Sequence, residues 1–219
     1  MMRLSRFGGN PHIGVFSAAG ESFAFVSPNA DKDYVATVTE VLGVETHLTS
    51  VAGSFVVGSL LAMNSNGIIV SGLAEQSEIK FLSKFLPVGT LTGAHNAAGN
   101  NILVNDNGAI LNPDVDGRAV KKIERILGVP CVKMSIAGLN TVGSACKVTN
   151  KGCICPAETT AEEIKMLKDI FKVDVVKTTL NHGSKLLGPC LVANSRGAVV
   201  GDITTPIEMG KLEDALNLY

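Results

Sequence analysis

Apolar residues recur at helical spacing in five stretches of the chain, and each stretch closes on an apolar pair: Val41-Leu42, Phe85-Leu86, Ile126-Leu127, Ile170-Phe171 and Ala215-Leu216. Upstream of the pairs the same spacing continues, as in Val35, Val38, Val41 and Leu42, or Ile164, Leu167, Ile170 and Phe171. This period predicts five amphipathic helices, each hiding one face. The pairs are separated by 44, 41, 44 and 45 residues, which marks an internal repeat of about 44 residues. Before the fourth helix, Thr159 and Thr160 each stand three positions ahead of Glu162 and Glu163, the spacing of a capping box.

The residues between the helices repeat as well. Two positions after the first four pairs a valine (Val44, Val88, Val129, Val173) opens a short β-prone run such as VETHLTS or VPCVKMS. A glycine series follows with steps of five and nine: Gly53, Gly58 and Gly67; Gly138, Gly143 and Gly152; Gly183, Gly188 and Gly197. Ala94, Gly99 and Gly108 keep those steps, and Gly9, Gly14 and Gly20 imply a first hairpin three residues shorter. The last glycine ends a turn (NSNG, NDNG, TNKG or NSRG) between two apolar runs, which predicts a hairpin.

Each unit therefore reads strand, glycine-rich loop, two-stranded hairpin, helix. The chain ends on its fifth helix, and Leu4 to Phe7 forms a lone strand before the first loop, so the N-terminal strand is positioned to complete the last unit. A small sheet with one helix cannot hide its apolar surface alone. Five such units closed into a ring give each a neighbour and remove exposed sheet edges. The expected fold is a mixed α and β ring of five pseudosymmetric strand-strand-helix-strand repeats, residues 1–219 forming one domain.

Composition narrows the chemistry. The 19 Lys and Arg balance 20 Asp and Glu, so no global field draws the chain onto nucleic acid, and no DNA-binding role is expected. No apolar run of membrane-spanning length and no signal peptide is apparent, so a cytoplasmic protein without membrane contact is expected, as a monomer. Five cysteines, an odd number, argue for reduced thiols instead of a disulfide framework.

Candidate chemistry is sparse. Cys153 and Cys155 share one face of a strand, but no second Cys or His pair stands at a zinc-like spacing, so they read as small core residues. Cys190 lies in an apolar segment where a thiolate would be desolvated. His12, His95 and His182 occupy corresponding loops and could meet if those loops converge; no carboxylate accompanies them as an orienting partner. Gly9 to Gly14 lacks the Lys and Ser or Thr of a phosphate-binding loop, and no cofactor is expected. The loops are instead rich in neutral hydrogen-bonding residues, suited to binding a partner. Lys121, Lys122, Lys165, Lys168 and Lys211 read as a solvated helix exterior.

Several segments, taken together, carry a resemblance: FGGNPHIGVF at Phe7 to Phe16, TSVAGSFVVG at Thr49 to Gly58, Gly99-Asn100 followed by NDNGAILNPDVDG, Ser135 to Gly138, and NHGSKLLG at Asn181 to Gly188. The chain resembles the archaeal form of the translation initiation factor 6 family over its whole length, and the ring resembles the pentein, or α-β propeller, architecture. The resemblance implies a non-enzymatic factor that binds the intersubunit face of the large ribosomal subunit and prevents premature association with the small subunit. The implied partners are chiefly ribosomal protein uL14, with eL24 and the sarcin-ricin loop of rRNA nearby. The family's Gly-Asn contact falls on Gly99 and Asn100. Extended to equivalent loops, the expected contact set is Asn10, Gly14, Gly53, Ser54, Asn96, Gly99, Asn100, Asn140, Asn181 and His182. The alternative within the same architecture is a guanidino-modifying enzyme using a cysteine nucleophile.

Overall fold

The computed structural model describes residues 1–219 as five three-stranded sheets arranged around an axis. β1 (Met2–Ser5) precedes a 3-10 turn at Ile13–Val15, β2 (Ser17–Ala19), β3 (Phe23–Val26), α1 (Lys32–Leu42) and β4 (Glu45–Leu48). The second unit runs α2 (Val57–Leu60), β5 (Leu61–Met63), β6 (Ile68–Ser71), α3 (Gln76–Leu82) and β7 (Val88–Leu91). The third runs α4 (Ala98–Asn101), β8 (Ile102–Val104), β9 (Ala109–Leu111), α5 (Gly117–Leu127) and β10 (Cys131–Lys133). The fourth runs α6 (Val142–Ala145), β11 (Lys147–Val148), β12 (Gly152–Cys155), α7 (Ala161–Phe171) and β13 (Asp174–Lys177). The last has a 3-10 turn at Gly188–Cys190, β14 (Leu191–Ala193), β15 (Ala198–Gly201) and α8 (Pro206–Leu216). No helix is long and apolar enough to cross a membrane.

In the first four sheets the middle strand pairs antiparallel with its hairpin partner and parallel with the strand that returns after the helix. The last sheet has no such strand downstream of α8. β1 fills the place, pairing parallel with β15 from Met2 opposite Ala198 to Ser5 opposite Gly201. The predicted closure by the N-terminal strand is therefore observed.

No unit owns its core. The cluster around α1 takes Val192 and Val199 from the last unit; that around α5 takes Ala62 and Ile69 from the second; that around α7 takes Leu103 and Ile110 from the third. Each helix packs on the preceding unit's sheet, so the hydrophobic free energy is distributed around the ring.

The glycine in the middle of each series defines the axis. A Cβ on Gly58 would stand 1.9 Å from the Gly14 carbonyl oxygen, on Gly99 1.9 Å from that of Gly58, and on Gly143 2.1 Å from that of Gly99. One on Gly188 would meet Gly143 at 2.1 Å, and one on Gly14 would meet Gly188 at 2.2 Å, completing the circle. Only a residue without a side chain permits this approach.

The hairpin turns gather at the other end of the sheets and bind across units. Asn64 donates its amide to the Asn105 and Leu127 carbonyls, Asn105 to Thr149 and Phe171, and Asn194 to Gly20 and Leu42. Each asparagine thus ties the next hairpin and satisfies a carbonyl at the end of the next unit's helix, where intrahelical partners run out. Its oxygen accepts from two N–H groups of its own turn, as Asn64 does from Asn66 and Gly67.

Two expectations need correction. Gly20 is the counterpart of Asn64 and not of Gly67, because both Gly20 and Asn105 carbonyls receive the equivalent asparagine bond. The first hairpin loop is Gly20–Phe23 against Asn64–Gly67 in the second, so the two are equal in length and the first is not three residues shorter. The second helix stops at Leu82 instead of continuing to Phe85-Leu86. Gly20 has no side chain to cap it, and Ser83 to Leu86 folds into turns that pack Phe85 against Phe23, Phe25 and His47.

Gly143→Ala is expected to lose about 1–3 kcal/mol through forced displacement at the axis. Gly210→Ala, inside α8 with nothing near its missing Cβ, is expected to gain about 0.5–1 kcal/mol. Urea unfolding followed by circular dichroism measures both. Equal stability of Gly143→Ala and the parent chain would contradict a sterically closed axis.

Candidate partner-docking face

One end of the ring carries the N-termini of the five long helices and the tight turns that follow the returning strands. Four turns close with an isolated bridge: Phe7 with Asn10, Val51 with Ser54, Ile136 with Leu139, and Leu180 with Ser184. Their central residues have positive φ: Gly8 and Gly9 at 53° and 84°, Ala52 and Gly53 at 57° and 66°, Ala137 and Gly138 at 51° and 74°. The last turn places Asn181, His182 and Gly183 at 50°, 61° and 98°.

Alanine and histidine are strained in that region, and the strained turns are the ones a carboxylate holds. Glu78, at the third position of α3, accepts from Ala52 N at 2.7 Å, Gly53 N at 3.0 Å, Ser50 Oγ at 2.7 Å and Glu75 N at 2.8 Å. Glu163 of α7 accepts from Ala137 N at 3.0 Å while boxing Thr160. Glu208 of α8 accepts from His182 N at 3.1 Å, Gly183 N at 2.9 Å and Thr179 Oγ1 at 2.7 Å. Where both central residues are glycine, at Gly8-Gly9, the equivalent helix position is Tyr34. Burial pushes the Glu208 carboxyl upward, but these donors and Thr205 outweigh it and bring the group down to about 2. Glu78 is lowered by the same balance, its burial exceeded together by Ser50 and three backbone donors. The capping spacing legible at Thr160 thus has a second function, which is to fasten the starts of α3, α7 and α8 to a turn.

The predicted contact residues divide between this face and the interior. Gly14 and Gly99 belong to the axis. Asn181 is buried: it donates to the Pro11 carbonyl at 2.9 Å, and its oxygen accepts from Thr204 at 2.9 Å, so it stitches the last turn to the first. Its amide is committed to the fold. Asn10 is exposed, with its oxygen turned back onto His12 N at 2.8 Å. Gly53 and His182 are exposed at turn tips, with Ser54 partly covered beside Gly53. Asn140 is exposed and donates to Asp114 at 3.0 Å. Asn96 approaches Ser71 Oγ at 3.5 Å, and the Asn100 side chain, at the axial cavity, has no protein hydrogen bond. The Ala94 loop of the third unit has no turn bridge, and only its Gly93 has positive φ.

His12, His95 and His182 do not assemble: no three His, Cys, Asp or Glu side chains come within reach of one metal ion. The five cysteines are free thiols. Burial drives Cys146 and Cys153 well up and Cys190 up to about 11, and the Cys190 thiol donates to the Leu186 carbonyl at 3.2 Å. These are packed thiols, disfavoured as nucleophiles.

Sequence reasoning missed the apolar part of this face. Phe55, Leu73, Leu186, Ile203 and Ile207 are exposed at the turn end, Leu73 and Ile207 by 69% and 76%. Phe7 stacks on Phe16 and Phe16 on Phe55, so an aromatic row runs from the first unit's core to this surface. Leu73 and Ile203 hold equivalent positions just after a middle strand, the one signal that could have marked them. Of the neighbouring cations, Arg6, Arg118 and Lys185 are paired, with Asp202, Asp116 and Glu158, while the exposed Lys133 and Lys177 enter no ion pair.

Comparison with known proteins follows the same lines. The profile described as the eIF-6 family matches residues 2–215. Translation initiation factor 6 of Methanosphaerula palustris is 41% identical over 214 residues, covering 98% of this chain and 97% of the relative. The protein of that name from Thermoplasma acidophilum is 38% identical, with 94% of each chain covered. That from Methanocaldococcus jannaschii is 39% identical, covering 97% of this chain and 96% of the relative. Among solved structures, a dimethylarginine dimethylaminohydrolase adduct with S-methyl-L-thiocitrulline superposes with a TM-score of 0.50 at 8% identity, covering 98% of this chain and 95% of that one. That likeness concerns the fold alone, and it agrees with the predicted pentein architecture.

Glu208→Gln is expected to cost about 1–3 kcal/mol at pH 7, the range for a buried group that loses charged hydrogen bonds. Because folding lowers the Glu208 pKa, its stabilisation is present above the ordinary value of 4.5 and lost as pH falls toward about 2. Thermal unfolding across pH 2 to 7 should show the two proteins converging in acid; a constant difference would rule out the ionised clamp.

Proposed function

Since the chain belongs to the eIF-6 family, which places it among translation initiation factors, we propose that it binds the large ribosomal subunit on its intersubunit face and keeps the small subunit from joining prematurely. The supporting observation is the match across residues 2–215 together with the turn face. A docking factor needs a stiff body and a surface already shaped for its partner. Charged clamps on strained turns and a sterically closed axis provide stiffness, which limits the ordering cost of association.

The face has the character of a protein-binding surface. Exposed apolar side chains stand among neutral hydrogen-bonding groups, while Arg6, Arg118 and Lys185 are neutralised by carboxylates. Binding dominated by rRNA phosphates would call for clustered free cations. Ribosomal protein uL14 is therefore proposed as the main contact, with eL24 and the sarcin-ricin loop beside it, in the cytoplasm. Asn10, Gly53, Ser54, Asn96, Asn100, Asn140 and His182 are the proposed contact residues. The role involves no bond making, and the packed state of Cys190 favours this over a guanidino-modifying reaction.

Sedimentation with separated subunits tests the proposal: the protein should migrate with the large subunit only and reduce the yield of joined particles. Migration with neither subunit would refute it. Asn100→Arg should weaken large-subunit binding by at least about tenfold, or 1.4 kcal/mol, while the circular dichroism spectrum is retained. Unchanged affinity would move the contact away from the axial mouth.

A further inference from the structure

Four positions after its axial glycine, each inner strand presents a residue to the seam with the next unit. Ala18, Ala62, Leu103 and Val192 occupy this position in four units, and each is buried in a core shared with its neighbour. The fourth unit has Lys147 there. A lysine where its counterparts are apolar is costly unless something compensates its charge. Nothing in the chain does: Lys147 enters no ion pair and its side chain makes no hydrogen bond, and burial alone lowers its pKa, to about 8. It remains mostly protonated at neutral pH.

Lys147 lines the axial cavity of about 80 Å³ between the inner strands and short helices. The residue is partly buried and keeps some solvent-accessible surface, as expected of a side chain in the wall of the axial cavity. Ser59, Asn100 and Ser144, each next to an axial glycine, line the same cavity. Their side chains make no hydrogen bond within the protein, unlike Ser17, which is held at 2.8 Å by the Tyr34 hydroxyl. No Asp or Glu lines the cavity, so it contains one uncompensated cation and several free donors.

We propose that the axial cavity binds a small oxyanion of the phosphate or sulfate class, with Lys147 supplying the charge and Ser59, Asn100 and Ser144 donating hydrogen bonds. Such a ligand compensates the lysine and bridges donors from three units around the axis, which the protein's own side chains do not do. Only Asn100 is shared between this site and the proposed ribosomal contact, so Lys147 tests the anion site without touching that contact.

Isothermal titration of the full chain with sodium sulfate and inorganic phosphate, at constant ionic strength against sodium chloride, tests it. The expected result is saturable binding at one site and a rise in melting temperature with sulfate. Lys147→Met should bind at least about tenfold more weakly and lose the sulfate-dependent rise. Lys147→Gln, which retains a polar side chain, serves as a second variant and should also lose the rise. Absence of saturable binding in the parent chain, or a variant that binds as tightly as the parent, would overturn the proposal.

Discussion

The approach of five backbones at the axis is the constraint from which the rest of the structure follows. The Gly14, Gly58, Gly99, Gly143 and Gly188 positions each lie within contact of the preceding glycine's carbonyl, a spacing no side chain tolerates. Bringing the inner strands that close puts each unit's sheet beside the helix of the next. Hydrophobic burial then takes place between units and not within them, which explains why every cluster draws residues from two units. A unit removed from the ring would expose an apolar helix face and half of its sheet's packing surface.

Polar groups make this arrangement specific at both ends. At the hairpin end an asparagine satisfies carbonyls of the next hairpin and the next helix, leaving few buried acceptors unpaired. At the turn end a helix-capping glutamate takes the N–H groups of a left-handed turn. The exceptions behave as the physics requires. Where glycine replaces the hairpin asparagine, at Gly20, the neighbouring helix stops early; where threonine does, at Thr149, Asn217 at the end of the full-length α8 donates back to the Lys151 carbonyl; where the turn is all glycine, at Gly8-Gly9, no clamp is present. Local strain and its compensation have been varied together along the chain.

This organisation suits the proposed docking role. Its fold is shared with an enzyme of 8% identity, so the architecture does not decide between catalysis and docking. The site residues bear on that choice: thiols packed in the core or bonded to carbonyls, histidines kept apart, and a turn surface bearing exposed leucine, isoleucine and phenylalanine. A face of this kind offers apolar area and hydrogen-bonding edges to another protein, and its rigidity lowers the cost of binding.

The number of units, their order and the closing role of the N-terminal strand were readable from period and spacing alone, because helical faces, hairpin asparagines and axial glycines are local requirements imposed on each unit. The apolar pairs at Val41-Leu42, Ile126-Leu127, Ile170-Phe171 and Ala215-Leu216 are the helix ends that hairpin glycines approach, so their recurrence already carried the inter-unit contact. Only the tertiary structure decided the rest. Asn181 and His182 are neighbours in one turn, yet one is buried against Pro11 and the other projects from the tip. Glu78 and Glu208 read as ordinary helix-start acids until the turns they clamp, some 25 residues earlier in the chain, are seen beside them. Lys147 reads as one more lysine until ring closure puts it at the axis. Spacing encodes what each unit needs of itself; which side chain meets which partner is set by closing the circle.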